Sequence, residues 1–138
     1  MRNNTKNETS QIRFGGYDDD KLKRGHDIIF IETIDNKSWK LPLQSIDFTK
    51  KNILGSPSSA LINPGYPFIA APIKEFEIFK DELRQEYPED PVVCSAWDWC
   101  YFIHPCEAVA NKLPPLKFTF GTDKIRQTYE LAPENFLF

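Results

Sequence analysis

Two stretches of the chain hold side chains whose types and spacing bear directly on chemistry. The first runs from Cys94 to Cys106 and contains Cys94, Cys100, Cys106 and His104. By type this is a Cys3His donor set, made of ligands that zinc favours. The spacing argues against it: five residues separate each cysteine from the next, with no short C-x2-4-C knuckle to turn two thiolates onto one ion, so no metal is expected. Two uses of the thiols remain open, one disulfide with a leftover thiol or three reduced core cysteines, and the pairing is not fixed by the sequence.

The second stretch runs from Ser58 to Pro72, SSALINPGYPFIAAP. Ala60 to Asn63 reads as a buried strand halted by Pro64 and Gly65. The residue before proline is pushed out of the helical region, and glycine accepts a positive φ. The polar group at the halt is Asn63, whose amide donates and accepts hydrogen bonds but has no accessible pKa and cannot serve as a general base. Tyr66 and Phe68, just past the turn, are candidates for a cleft wall, against the commoner use of such aromatics in a core or an interface.

The elements that must position these groups are mostly β. RFGGY (13–17) reads as a short strand entering a tight turn at Gly15-Gly16, and HDIIFIET (26–33) is rich in β-branched residues. SWKLPL (38–43) alternates apolar and polar, and LQSIDF (43–48) continues the alternation. LKFTF (116–120) and QTYEL (127–131) form a hairpin across a turn at 121–123. One segment differs. In PIKEFEIFKDELRQ (72–85), Ile73, Phe76, Phe79 or Lys80, and Leu83 recur at helical spacing behind a proline suited to a helix start, which predicts one amphipathic helix.

Composition sets the frame for those elements. At 138 residues with 41% hydrophobic content, including eleven Phe, the chain suits one packed domain, with residues 1–12 as a flexible N-terminal arm. A net charge of −3 and no long basic run leave no electrostatic footprint for nucleic acid or an anionic membrane. No apolar run approaches the roughly 20 residues of a membrane-spanning helix, and no signal peptide is expected.

Taken in order, FGGYD (14–18), W-x-L-P-L-x-S-I-D-F from Trp39 to Phe48, a strand ending in a turn with a helix behind it, LPPLKFTF (113–120) and LAPENFLF (131–138) resemble the C-terminal lobe of a pepsin-like (A1 family) aspartic protease. The resemblance implies a mainly β fold over residues 13–138: a single lobe, hairpin-rich and partly incomplete, with one amphipathic helix. It also implies a hairpin between the tryptophan strand and the S-I strand. Where the family carries Asp-Thr-Gly-Thr-Ser, this sequence has Asn63-Pro64-Gly65-Tyr66-Pro67. The family's two aspartates, one per lobe, share a proton at a separation of about 3 Å and hold the attacking water. The threonine links the two lobes through its hydroxyl and amide, and Pro64 has neither group. Only the glycine of the motif is kept.

On that resemblance no catalytic residue is expected, nor a cofactor. The expected role is a catalytically inactive domain serving as a structural or interaction subunit of a larger protein assembly. The family's first lobe, ahead of residues 14–18, and its closing strand, beyond residues 131–138, are both expected to be missing. Another protein subunit would then cover the open sheet edge, with Phe136, Leu137 and Phe138 as interface candidates. The alternatives are a fragment or partner lobe of an active acid endopeptidase, and a pseudoprotease binding a ligand or peptide beside Tyr66 and Phe68. The family is typically secretory, lysosomal or vacuolar; the compartment of this chain stays open, an organellar assembly included.

Overall fold

The computed structural model describes residues 14–18, 22, 25, 27–89, 92–94 and 100–137. The expected arm, 1–12, lies outside them, as do Arg13, His26 and Phe138. The chain divides into two units, Met1–Phe30 and Ile31–Phe138. The described residues of the first form no helix or strand, so the strand expected at 13–17 is absent from its described part. Its turn is present, with Gly15 at φ 83° in the left-handed region that glycine enters without penalty. The strand expected over 26–33 does not form at 27–33 either. Branched side chains favour extended backbone, but a strand also needs a neighbouring ladder, and here none is supplied.

The second unit is built on β1 (Lys40–Phe48), a strand that serves as the hub of a five-stranded antiparallel sheet. One side of β1 carries β2 (Lys51–Asn52) at its end and β3 (Ser58–Leu61) at its start, through Asp47↔Asn52 and Lys40↔Leu61. The other side carries β6 (Leu116–Gly121), which pairs in turn with β7 (Arg126–Leu131). The hairpin implied between the tryptophan and S-I segments is therefore replaced by one continuous strand. Pro42 is tolerated inside it because Lys40 directs its carbonyl away from β3, to the Ile34 N–H at 2.8 Å. By alternation Pro42 faces the same side, where the pairing with β6 has not yet begun.

The alternation does not run unbroken through β1. Leu43 pairs with Phe120 and Ser45 with Thr119, so Gln44 is an extra residue, a β-bulge. Its side-chain Nε2 donates to the Gly121 carbonyl at 2.6 Å. The bulge lets Leu43 and Phe48, an odd number of residues apart, both be buried.

Phe48 and Val109, fully buried, centre a core shared with Ile53, Leu83, Leu113 and Leu116. The predicted helix forms as α1 (Ile73–Glu86) with Pro72 as its N-cap. Ile78, Phe79 and Leu83 turn to the core, and the Phe79 ring meets Phe48 edge-on at 5.0 Å. Ile73, expected in the apolar stripe, is exposed instead. The helix is pinned at Glu82, which is buried, accepts from the Thr49 hydroxyl in the β1–β2 turn and pairs with Lys51 at 3.3 Å.

A second helix, α2 (Cys106–Ala110), was not foreseen; it supplies Val109. Between the helices, β4 (Val92–Cys94) and β5 (Cys100–Phe102) form a separate two-stranded ladder. The fold is mainly β with one main helix, as for a single pepsin-like lobe.

Candidate functional site

The turn after β3 is built by local chemistry. As β3 leaves the sheet, Ile62 N–H donates to the Trp39 carbonyl at 2.9 Å, the last tie to the β1 side. Tyr66 N–H then donates to the Asn63 carbonyl at 3.1 Å, closing a four-residue β-turn with Pro64 and Gly65 as its central pair. Inside that turn Gly65 N–H donates to Asn63 Oδ1, also at 3.1 Å. This is an Asx-turn: the asparagine side chain folds back onto its own loop.

Two expectations about this stretch need correction. The strand ends at Leu61, two residues before Asn63, and it is not buried: Leu61 is 61% exposed, because β3 is an edge strand paired on β1 alone. Gly65 is not among the positive-φ glycines, which are Gly15, Gly25 and Gly121. What favours glycine at 65 is space, since a Cβ there would stand 3.3 Å from Asn63 Oδ1.

Asn63, Pro64, Gly65, Tyr66 and Phe68 all lie exposed at the surface. Tyr66 and Phe68 meet edge to face, their centroids 5.8 Å apart. The sequence holds no Asp or Glu between Asp47 and Glu75, so the turn carries no carboxylate of its own. Its chemical repertoire is one amide, already engaged, and an apolar rim.

The cysteines separate. Cys94 and Cys100, directly opposed across β4 and β5, form a disulfide. Cys106 stands outside that bond, half-buried at the start of α2. With two sulfurs joined to each other, the Cys3His set is not assembled, and among the described residues no three His, Cys, Asp or Glu side chains gather as a metal site.

Of the interface candidates, Phe136 and Leu137 pack against this chain's own core, below a buried Pro133 whose carbonyl accepts from Leu137 N–H at 3.0 Å. The 3-10 turn Pro133–Asn135 folds the segment inward and leaves both side chains half-buried. Phe138 lies outside the described residues.

One concave feature went unforeseen: an open apolar groove of about 280 Å³ lined by Ile69, Phe118, Phe120, Tyr129, Glu130 and Leu131. The period-2 pattern of the hairpin contained the signal, since Leu116, Phe118 and Phe120 share a face with their partners Leu131, Tyr129 and Gln127. The approach of Ile69 to that face had no sequence signal.

The model of the family described as eukaryotic aspartyl protease matches residues 1–137. The chain belongs to the eukaryotic aspartyl protease family. No curated protein matches it, and no solved structure does. Membership in the aspartyl protease family accounts for the antiparallel, hairpin-rich unit with α1 behind the β3 turn. Within the described residues no helix is long and apolar enough to cross a membrane.

Proposed function

We propose that this chain is a catalytically inactive aspartyl-protease-like domain that serves as a structural or interaction subunit of a larger assembly. The observation that carries the reading is the Asn63-Pro64-Gly65 turn, in which an amide stands where the family resemblance calls for an aspartate and is turned back onto the Gly65 N–H. Acid proteolysis by this family needs one carboxylate to accept a proton from water while its neighbour donates one. An amide does neither. Pro64, without N–H or hydroxyl, also removes the group that would tie this turn to a second lobe. The exposed Tyr66–Phe68 pair and the apolar residues Leu61, Ile62 and Ile69 around it support an interaction role, since apolar side chains clustered at a surface mark contact sites more often than chemistry.

The test is an acid-pH peptidase assay on the purified chain with an unfolded protein as substrate. No cleavage and no binding of pepstatin-type transition-state mimics are expected, and Asn63→Asp alone should not create activity. Cleavage blocked by such an inhibitor and abolished by Asn63→Ala would overturn the inactive assignment and favour the lobe of a working endopeptidase. For the subunit role, the tagged chain isolated from its native extract should elute in a stoichiometric complex; a monomer as the sole species would overturn it.

A further inference from the structure

We infer that the outer edge of β7 is a self-complementary surface on which a second copy of this chain pairs antiparallel, centred on Thr128. The inference stands apart from the inactive assignment, because it uses neither Asn63 nor its turn.

The direction of the backbone groups sets the register. Thr122 N–H donates to the Ile125 carbonyl at 2.9 Å, so the pair closing the β6–β7 turn is a hydrogen-bonded one. In an antiparallel ladder bonded and non-bonded pairs alternate, which directs Gln127, Tyr129 and Leu131 towards β6 and Arg126, Thr128 and Glu130 outward. The Gly121 carbonyl agrees with this phase, because it points to the β1 side and accepts from Gln44. The sheet ends at β7, and among the described residues no backbone group pairs with the outward ones. The Thr128 carbonyl takes only a 3.3 Å contact from the side-chain amide of Gln127.

Laid against itself about Thr128, this edge matches at every outward position. Arg126 faces Glu130 of the second copy, Thr128 faces Thr128, and Glu130 faces Arg126, and in each pair both backbone groups point across. The charges are complementary and join ion pairs already present: Lys117 with Glu130 at 2.9 Å, and Arg126 with Asp123. The result is an alternating row, Lys117–Glu130–Arg126–Asp123, running across the junction in both directions. On the opposite face the same register sets exposed Ile125 beside Leu131 of the second copy, at the rim of the apolar groove. Sliding the copies by two residues leaves an outward residue of the strand without its match.

A contact of one strand and a groove rim falls below the roughly 1,200 Å² of a standard interface, so a dimer with a dissociation constant on the order of tens of micromolar is expected. Sedimentation equilibrium on the full chain across that range measures it. Thr128→Pro removes an outward N–H without touching a backbone bond to β6, and Thr128→Val, which loses only the hydroxyl contact with Thr119, serves as its control. The proline variant should weaken the dimer about tenfold or more with an unchanged circular dichroism spectrum, and the valine variant should not. Arg126→Glu and Glu130→Arg should each be monomeric alone and form a 1:1 dimer when mixed, because the mixture restores both charge pairs. Backbone amides of Arg126, Thr128 and Glu130 should gain exchange protection with rising concentration while those of Gln127 and Tyr129 do not. A chain that stays monomeric at several hundred micromolar, a dimer indifferent to Thr128→Pro, or two charge variants that fail to associate would each overturn the inference.

Discussion

The β6–β7 hairpin and the β3 turn both hang from β1, on opposite sides, and they are held by different physics. In the hairpin the two faces are sorted: Lys117 pairs with Glu130 and the Thr119 and Thr128 hydroxyls meet at 2.9 Å on one, while Leu116, Phe118 and Leu131 join the core on the other. Its turn admits little but glycine at 121, where φ is 110° and a Cβ would fall 2.0 Å from the Ile125 carbonyl oxygen. The β3 turn contributes no side chain to the core cluster and is held by two hydrogen bonds made within itself, both to Asn63. The fold requires the first region. It only accommodates the second.

Three measurements would break or sharpen that contrast. The largest effect should come from the core on which the hairpin rests. Phe48→Ala, at a fully buried ring in contact with Phe79, is expected to cost about 3–5 kcal/mol in equilibrium denaturation. Tyr66→Ala, at a residue 52% exposed, should stay within about 0.5 kcal/mol. Comparable losses would mean that the β3 turn is as much a part of the core as the sheet.

The two turn glycines give a smaller and more pointed difference. Gly121→Ala forces a side chain into left-handed backbone and onto a carbonyl oxygen, and should lose more than about 1–3 kcal/mol. Gly65→Ala meets only the Asn63 side-chain oxygen, at 3.3 Å and at ordinary φ, and should lose less than about 1 kcal/mol. Thermal unfolding of the pair, side by side, decides it.

The smallest effect is the response to pH. The Glu130 carboxylate, by its hydrogen bond and its charge, holds the Lys117 ammonium above its usual pKa. A raised value favours the protonated form in the folded chain. The contribution is therefore full below the ordinary lysine pKa and is lost as pH rises through the raised one. It is a modest term, because both groups are solvent-exposed. The stretch from Ser58 to Pro72 has no Asp, Glu, Lys, Arg or His, and so has no ion pair of this kind to lose. Side-chain NMR titration of Lys117 in the folded and urea-unfolded chain measures the shift, and coincident titrations would remove the ion pair from the account of the hairpin.

The sequence made some of this legible because the signals were local. The β6–β7 hairpin followed from clean alternation on both arms, and only its turn was misplaced, closing at 122–125 rather than 121–123. Helix α1 followed from period and proline, although Lys80 is buried against Glu77 and Phe76 while Ile73 is exposed, an exchange that tertiary packing decides. Helix α2 escaped because one turn and a half after Pro105 is too short to show a period. The bulge at Gln44 escaped because an extra residue leaves no mark on composition. At the candidate site, the amide at 63 and its turn could be read in advance. The exposure of the strand before it could not, since an apolar run reads the same whether one side of a sheet is covered or bare.

Gln44 has a consequence for which parts of the chain can be altered independently of one another. On one side of that bulge β1 holds β3 and the turn; on the other lie Ile46 and Phe48, its members of the core cluster. The bulge resets the pleat between the two halves, so a displacement of the turn is absorbed there and is not handed on as a shift in register. Substitutions at residues 62 to 66 should therefore leave the pairing of β1 with β6 unchanged. The turn is thus the part of this architecture whose chemistry can be exchanged while the sheet behind it keeps its pairing.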